Sequence, residues 1–434
     1  MWTSDGLTVP SHSDILGYHS ERSLHMRKTA VLFVVACSLC VPASASAAPG
    51  DIDRTFGDNG FVLNTDMEID DMVRRPEGIL VSGRYGELGE IYSVFRPAVA
   101  RYTNSGALDP SFGEEGVSVM PAAWGDETAT IIAVQPDGKL LLKIGLGHRL
   151  ARLNADGSID RTFGTGGVTD VLPSYYYLGG GIAVAGDGSI YATGATDLRR
   201  GGLLLVKYTP DGVLDTSFRG DGIRLLQATE EGPYGVAEAT DGPVFIRPRG
   251  RILVVGGQGA TTAVLFKPNG SLDASFGGGD GVTFVHDGPF HVVFPVAVVD
   301  RVGRIWIPGA DTQGLTIRLR ADGSLDRTFG DDGFVRTPFT GRDAALLPDG
   351  RVAFVGQVER PRAVALAVLD DEGLDTSFGG GDGIQHTDIE QFFGRETPFH
   401  GTEIAAQSNG KVLISAMTMD DTLPYGSILL RLSM

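Results

Sequence analysis

Cysteine is almost absent from this chain of 434 residues, and both copies, Cys37 and Cys40, lie near its beginning. Beyond them the chain can form no disulfide, thiol nucleophile or Cys-type zinc site. Histidine is also scarce, with 8 residues. The sequence contains neither a His-Glu-x-x-His zinc motif nor a Gly-x-Ser-x-Gly nucleophile motif. These absences leave thiol, zinc and serine-hydrolase chemistry without their usual sequence signals.

Positive charge is in short supply as well. The 36 Lys and Arg residues face 54 Asp and Glu residues, which gives a formal net charge of −18. Such a charge repels phosphate backbones, so we expect no nucleic-acid partner. The apolar run from Ala30 to Val41 is too short to span a bilayer, and we expect no transmembrane segment in the mature chain.

The beginning of the chain has the pattern of a secretory signal peptide. Two basic residues follow Met26, and the apolar run then leads to a series of small residues ending at Ala47. We expect translation to start near Met26 and cleavage to follow Ala47, with Ala45 an equally good site. A lipidated Cys37 is the alternative form of export. The protein is therefore predicted to be extracytoplasmic: secreted, at the cell surface or in the periplasm.

Residues 48–434 repeat one phrase seven times: an aliphatic residue, Asp, any residue, Ser or Thr, and Phe. The copies end at Phe56, Phe112, Phe163, Phe218, Phe276, Phe329 and Phe378. Their spacing of 49 to 58 residues is typical of a repeat architecture, in which one supersecondary unit is copied and stacked. Seven repeats fill the mature chain, which predicts one domain, 48–434, after a signal segment, 1–47. We expect this domain to be a monomer.

Each repeat contains four short apolar runs joined by tight turns. In the second repeat they are Ile131–Val134, Leu140–Leu142, Leu150–Leu153 and Val168–Val171. Pro-Asp-Gly and Asp-Gly turns between such runs predict antiparallel hairpins. Four strands per unit, seven times over, predict an all-β fold, a seven-bladed β-propeller of four-stranded antiparallel blades.

The two ends of the chain predict how the ring closes. The mature chain begins inside the Asp53 phrase, so its first strand, around Phe61 to Leu63, is the fourth strand of a blade. The last run, Ile428 to Leu432, is a third strand with no fourth strand after it. We therefore expect the N-terminal strand to complete the last blade, which leaves no open sheet edge there.

The repeated phrase, together with Ala-Val-Gln-Pro-Asp-Gly-Lys at Ala133 to Lys139, resembles the delta-60 repeat family of secreted bacterial proteins, with a strand order similar to NHL-type propellers. The resemblance covers residues 51–434 and implies an exported or surface-attached propeller without an agreed activity. The motif departs at Arg219, where Gly is usual, and at Val302-Gly303, where a Pro-Asp-Gly turn is expected.

The repeated residues themselves are interpreted as structural. An Asp two positions before Ser or Thr can accept hydrogen bonds from the hydroxyl and the amide of that residue, which fixes a turn. The Phe that follows is expected to fill the gap between blades. A row of seven metal ligands is the less favoured reading.

Function is expected where the repeats differ, on the face that carries the variable loops between second and third strands and between blades. These loops hold a surplus of aromatic residues, which could stack on sugars or bind a peptide: Trp124, Tyr175, Tyr176, Tyr177, Tyr234, Phe290, Phe392 and Phe393. The alternative is that several of them pack under their own loops.

Three acidic residues form a second candidate site. Alignment of the first strands on their turns places Asp71, Asp343 and Glu403 at the position that Ile131 and Val296 occupy in other blades. Blades six, seven and one are neighbours in a closed ring, so the three carboxylates are expected side by side at the start of the innermost strands. Such a cluster could hold a divalent cation, for example Ca²⁺, or could simply point into solvent.

These observations favour an exported binding or scaffold module whose ligand is a glycan, a peptide or a cell-envelope component. The alternative is an extracytoplasmic enzyme, a lyase or lactone hydrolase, that uses a cation held by the three acids and His386 or His400 as base. A third possibility is a purely structural surface protein. No residue is assigned a catalytic role.

Overall fold

The structure is a computed structural model that describes residues 48–64, 66–86, 95–124, 132–144, 148–172, 176–196, 202–226, 242–256, 261–286, 296–309, 314–357, 363–387, 399–418 and 427–434. The predicted signal segment, 1–47, lies outside these residues. Within them the chain forms β-strands, tight turns and short 3₁₀ turns such as Ala122–Trp124. In this part of the protein no helix has the length and apolar character needed to cross a membrane.

The strands are numbered in chain order. The first fourteen are β1 (Phe61–Asn64), β2 (Met67–Arg75), β3 (Gly78–Tyr85), β4 (Arg96–Tyr102), β5 (Val117–Val119), β6 (Ile132–Val134), β7 (Leu140–Ile144), β8 (Arg149–Leu153), β9 (Tyr176–Tyr177), β10 (Ile182–Val184), β11 (Ile190–Thr196), β12 (Leu203–Tyr208), β13 (Ile223–Leu226) and β14 (Val244–Arg247). The others are β15 (Arg251–Gly256), β16 (Thr261–Phe266), β17 (Val282–His286), β18 (Val298–Val299), β19 (Ile305–Ile307), β20 (Leu315–Leu319), β21 (Phe334–Arg336), β22 (Thr340–Leu346), β23 (Val352–Gln357), β24 (Val364–Leu369), β25 (Ile384–Thr387), β26 (Phe399–Ala406), β27 (Lys411–Thr418) and β28 (Ser427–Ser433).

These strands form seven antiparallel sheets, the blades of a β-propeller, as the sequence predicted. Blades one to six follow the chain order: β2 to β5, β6 to β8, β10 to β13, β14 to β17, β18 to β21, and β22 to β25. Blade seven has the order β26-β27-β28-β1. The first strand of each sheet is the inner strand, and the inner strands of most neighbouring blades contact each other.

The ring is closed by the N-terminal strand. β1 pairs antiparallel with β28, from Phe61 opposite Leu430 to Asn64 opposite Ser427. Backbone hydrogen bonds extend the pairing before β1, since Gly50 donates to the carbonyl of Ser433 at 2.8 Å. The predicted closure of the last blade is therefore confirmed.

Blade two departs from four regular strands. Where the sequence predicted a fourth run at Val168–Val171, the structure has a single bridge between Val168 and Ala151. The hydroxyl of Thr169 accepts a hydrogen bond from the Leu150 amide at 3.0 Å. In a regular strand pair this amide would donate to a backbone carbonyl of the neighbouring strand. A side chain thus replaces part of the backbone pairing and shortens the strand.

The tight turns form as predicted. In the turn between β6 and β7, the Lys139 carbonyl accepts from Gln135 at 2.8 Å, and the Gln135 carbonyl accepts from Gly138 at 2.9 Å. Gly138 has φ +86°, a conformation that costs other residues steric strain. The Asp137 side chain accepts from the amide of Lys139 at 3.2 Å and so stabilises the turn.

The hydrophobic core is divided among the seams between blades. Each of seven buried clusters joins side chains of two neighbouring blades and contains one repeated phenylalanine: Phe56, Phe112, Phe163, Phe218, Phe276, Phe329 or Phe378. All seven rings are 0–1 % exposed. The predicted role of this residue, to fill the gap between blades, is confirmed.

Candidate functional site

The repeated aspartates stabilise turns, as predicted. In every copy Oδ1 accepts from the hydroxyl two residues on, at 2.6–2.9 Å, and from the amide of the same residue, at 2.9–3.4 Å. Although burial opposes ionisation, hydrogen bonds from Lys411 and Thr55 and the charge of Arg431 hold the pKa of Asp53 well below its usual value. The repeated carboxylates therefore already accept hydrogen bonds from side chains and amides of the protein itself.

A repeated cation on the third strand was missed by the sequence reasoning. In four blades an arginine donates through Nε to the repeated aspartate, at 2.5–2.9 Å, and lies over the repeated phenylalanine ring, 4.5–4.9 Å from its centre: Arg101, Arg152, Arg318 and Arg431. Lys207 takes this position in blade three and pairs with Asp215 at 2.7 Å. The recurrence of Arg or Lys in the third apolar run of five repeats is a signal that could have identified it.

Three neighbouring blades depart from the repeat in their inner strands. β2, β22 and β26 each contain a register shift, between Ile69 and Asp71, Gly341 and Asp343, and Gly401 and Glu403. In each strand the residue that follows the shift is one of the three predicted acids. A β-bulge redirects the side chains beside it and is enriched next to functional sites.

The bulges bring Asp343 and Glu403 together. Oδ2 of Asp343 accepts from the amide of Ile404 in the next blade at 2.8 Å. The carboxyl of Glu403, when protonated, donates to Asp343. Asp71 lies within electrostatic range of Glu403, and its Oδ1 accepts from the amide of Met72 at 2.6 Å. The predicted proximity of the three acids is therefore observed.

Their position differs from the prediction in one respect. The acids were expected at the start of the inner strands, but they lie in the middle of β2, β22 and β26. The extra residue of each bulge accounts for the difference, because the strand pairs on both sides of the shift. All three side chains are half-buried, so the alternative of full exposure to solvent is wrong.

Burial of these carboxyls disfavours their charged form. It raises the pKa of Asp343 to about 6, against hydrogen bonds from the amides of Ile404 and Ala344. Burial, followed by the charges of Asp343 and Asp71, raises the pKa of Glu403 well above its usual value. The pair can therefore share a proton near neutral pH.

The cation predicted for this cluster is not supported by its arrangement. Among the residues that the structure describes, no group of three or more His, Cys, Asp and Glu side chains is placed so that it could hold a metal ion. A proton between Asp343 and Glu403 relieves the repulsion that a cation was expected to relieve. Ca²⁺ at Asp71, Asp343 and Glu403 stays a prediction.

Blade one adds polar groups that the sequence reasoning missed. Asp70, the extra residue of the β2 bulge, has a buried Oδ2 without a hydrogen-bond partner in the described residues. Burial, and then the charge of Glu68, raises the pKa of Asp70 to about 6. Arg84 forms an ion pair with Glu68, and Lys143 of blade two donates to the Gly179 carbonyl at 2.7 Å. The adjacent acids Asp70 and Asp71 were a visible signal, but only Asp71 was used.

The predicted aromatic surface is described only in part. Trp124 and Tyr176 are half-buried and pack against the clusters on either side of blade two, which agrees with local packing. Tyr176 and Tyr177 form β9, which pairs with β11 beside the inner strand of blade three. Five predicted residues lie outside the described residues: Tyr175, Tyr234, Phe290, Phe392 and Phe393.

Of the two histidines proposed as bases, only His386 has a described side chain. His386 is exposed on β25, the outer strand of blade six, three strand spacings or about 14 Å from β22. His386 therefore does not lie beside the inner-strand acids, and its use as a base stays a prediction. The backbone of His400 lies on β26, three residues before Glu403, and its side chain is outside the described atoms.

The chain matches a family described as a domain of unknown function (DUF5122) beta-propeller, over residues 88–112, 135–163 and 185–218. No curated protein matches it. Among solved structures it is similar to a streptogramin B lyase, at 13 % identity over 86 % of this chain and 98 % of that chain, with a TM-score of 0.49. It is also similar to a virginiamycin B lyase from Staphylococcus aureus, at 11 % identity over 86 % of this chain and 100 % of that chain, with a TM-score of 0.44.

A third similar structure is titled YCF48 bound to D1 peptide, at 13 % identity over 89 % of this chain and 98 % of that chain, with a TM-score of 0.47. At these identities the similarities concern the fold alone. The matched repeats and the seven sheets together identify the chain as a β-propeller repeat protein.

Proposed function

We propose that this protein is an exported binding module that takes its ligand at the inner strands of blades six, seven and one. The observation that carries this proposal is the shared departure from the repeat. Three consecutive blades have a bulge followed by an acidic residue at the equivalent position of their inner strands. Two of these residues, Asp343 and Glu403, share a hydrogen bond.

A purely structural role for these acids is energetically unfavourable. Burying carboxyls side by side destabilises the folded state unless something else favours them. At the equivalent position blade five has Val296, which is 7 % exposed, so the ring can be built with an apolar residue there. Groups retained at the cost of stability are expected at functional sites. Ligands of this sector would be a glycan, a peptide or a cell-envelope component that donates hydrogen bonds to the acids.

Glycan and peptide arrays test this proposal. The protein should bind a defined ligand class, and the double variant Asp343→Asn/Glu403→Gln should lose most of that binding while keeping its fold. The matched control is Asp331→Asn/Glu372→Gln, which makes the same chemical changes at exposed positions of blades five and six. Equal binding by both double variants would contradict the proposal.

An acid–base enzyme is the second candidate, because the raised pKa values suit Glu403 as a proton donor and Asp343 as its acceptor. A lyase or lactone hydrolase of this kind would work without the exposed His386. It predicts turnover of the bound ligand, with a pH–rate profile whose alkaline limb, set by deprotonation of the proton donor, is lost in Glu403→Gln. Binding without turnover would leave the binding module as the function.

A further inference from the structure

The described residues of blade one contain buried acceptor atoms beside the acids. Ser82 lies on β3 directly opposite Asp71 and is 0 % exposed. Its hydroxyl has no hydrogen-bond partner in the described residues, and neither has Oδ2 of Asp70. Paired residues of a sheet project from the same face, so the side chains of Ser82 and Asp71 lie next to each other on one face of blade one.

Several cations lie around the acids, and the charges of Arg84 and Lys143 oppose the rise in the pKa of Asp70. Arg84 pairs with Glu68, and the Lys143 ammonium donates to the Gly179 carbonyl at 2.7 Å. Arg74 and Arg342 share strands β2 and β22 with the acids. The sector therefore combines several carboxyls with the Ser82 hydroxyl, for which the described residues provide no hydrogen-bond partner.

The carboxyls and the hydroxyl of this sector determine which kind of ligand they can bind. A metal ion needs ligands placed around a point, and the described side chains do not provide such a group. A primary ammonium group brings positive charge and three N–H donors, and it bonds acceptors individually at about 2.7–2.9 Å. We propose that the inner strands of blades six, seven and one bind a primary ammonium group through Asp71, Glu403 and the Ser82 hydroxyl.

Asp343 has a positioning role in this arrangement. Its carboxylate accepts from the Ile404 amide and from Glu403, which orients the Glu403 side chain. The inference rests on the proposed function and names the ligand class for the same sector. The ammonium can belong to an amino sugar or to an amino-acid derivative, which present the same group.

Isothermal titration calorimetry at about 20 mM ionic strength, where charge is weakly screened, provides the test. The primary probes are 1,4-diaminobutane and its neutral counterpart 1,4-butanediol. Glucosamine against glucose, and N-acetyl-lysine amide against the neutral N-acetyl-norleucine amide, distinguish the two sources. We expect each amine to bind and each neutral counterpart to bind at least about tenfold more weakly, because charge-assisted hydrogen bonds are lost.

Three variants locate the site. Glu403→Gln should weaken diaminobutane binding about tenfold or more, and Ser82→Ala about threefold or more. The control Glu372→Gln removes an exposed acid of blade six and should leave binding unchanged. Thermal melting of each variant verifies that the propeller is folded.

Equal binding of the diamine and the diol overturns the inference, as does a folded Glu403→Gln protein that binds the diamine like the unchanged protein. If no amine binds but the arrays yield a ligand that Asp343→Asn/Glu403→Gln loses, the sector binds and only the ammonium class is wrong. If the glycan and peptide arrays also yield no ligand, both the ammonium class and the proposed function are wrong.

Discussion

The repeated aspartate uses both of its carboxylate oxygens. In blade two, Oδ1 of Asp160 fixes the turn through Thr162, while Oδ2 accepts from Arg152 at 2.7 Å and Lys139 at 2.8 Å. Arg152 also donates to the Pro210 carbonyl of the next blade at 2.5 Å. One carboxylate therefore connects a turn, a strand and the neighbouring blade.

Loss of this carboxylate should cost most where its arginine is buried. We expect Asp160→Ala to lower the free energy of unfolding by about 3–5 kcal/mol, because Arg152, which is 5 % exposed, would be left as an unpaired buried charge. Asp273→Ala should cost only about 1–2 kcal/mol, since Leu265 takes the arginine position there and Arg251 lies 3.6 Å away. Urea unfolding of both variants measures the difference, and equal costs would contradict this account.

Arg219 occupies a glycine position. Its φ is +59°, a left-handed conformation that costs a residue with a Cβ about 1 kcal/mol. Arg219→Gly should therefore raise the free energy of unfolding by roughly 0.5–1 kcal/mol. The control Arg161→Gly removes the same side chain from an exposed position outside the positive-φ residues and should lower stability by a similar amount. If both variants lose stability, the left-handed strain at Arg219 is not significant.

At this scale the sequence predicted the contacts that span two residues and missed those that cross blades. The bond from Asp to the following Ser or Thr is local, so the phrase itself indicates it. The arginine meets its aspartate, ring and carbonyl only after three strands and a neighbouring blade have assembled, and no spacing in the phrase reveals this.

Among the strands, β2, β22 and β26 are distinguished by their bulges. Apolar runs and Asp-Gly turns predicted where the strands lie, because both are periodic features of the sequence. A bulge is a one-residue register change between two strands, and its effect depends on which residue of the bulged strand is left unpaired. The acids were therefore assigned to the correct blades but to the strand starts instead of the strand centres.

The carboxyls of Asp343 on β22 and Glu403 on β26 should make the free energy of unfolding fall as pH rises. A carboxyl whose pKa is higher in the folded than in the unfolded protein stabilises the fold below the unfolded pKa, 3.8 for aspartate, and loses this contribution as pH rises through the folded value of about 6. Asp343→Asn/Glu403→Gln should flatten this fall between about pH 4 and 7, and stabilise the protein at pH 8 by on the order of 2 kcal/mol.

Thermal and urea unfolding across this pH range provide the measurement. Asp331→Asn/Glu372→Gln serves as control and should follow the unchanged protein. The repeated aspartates act in the opposite direction at lower pH, because their pKa values are depressed and their contribution is lost as pH falls below about 4. If Asp343→Asn/Glu403→Gln loses stability between pH 4 and 7 as steeply as the unchanged protein, the carboxyl pair is not the cause of that loss.

For the whole molecule, the sequence predicted the seven blades, their order and the closure of blade seven. Each follows from counting repeats and noting which strand the two ends of the chain lack. Ring closure also predicted that blades six, seven and one are neighbours, which is why the proximity of Asp71, Asp343 and Glu403 could be foreseen. The role of Ser82 could not, since a missing hydrogen-bond partner is a property of the assembled blades.

Removal of residues 48–64 should open the ring. It deletes β1 and Phe56, and it leaves Arg431 without Asp53. We expect loss of more than about 5 kcal/mol of stability and aggregation through the exposed edge of β28. Phe56→Ala, which keeps the strand, should cost about 3–5 kcal/mol and remain monomeric. Light scattering and melting curves separate the two, and a monomeric truncated protein with a normal melt would show that β1 does not seal the blade.

The pairing of β1 with β28 also imposes an order in time. Blades one to six are each built from a continuous stretch of chain, and can form as that stretch leaves the ribosome. Blade seven unites the first strand of the domain with the last, so its final hydrogen bonds wait for Ser433. Long sequence separation slows such a step more than it weakens the product. The seam that holds Asp53 and Arg431 is therefore expected to be the last to fold and the most exposed to misassembly while it waits.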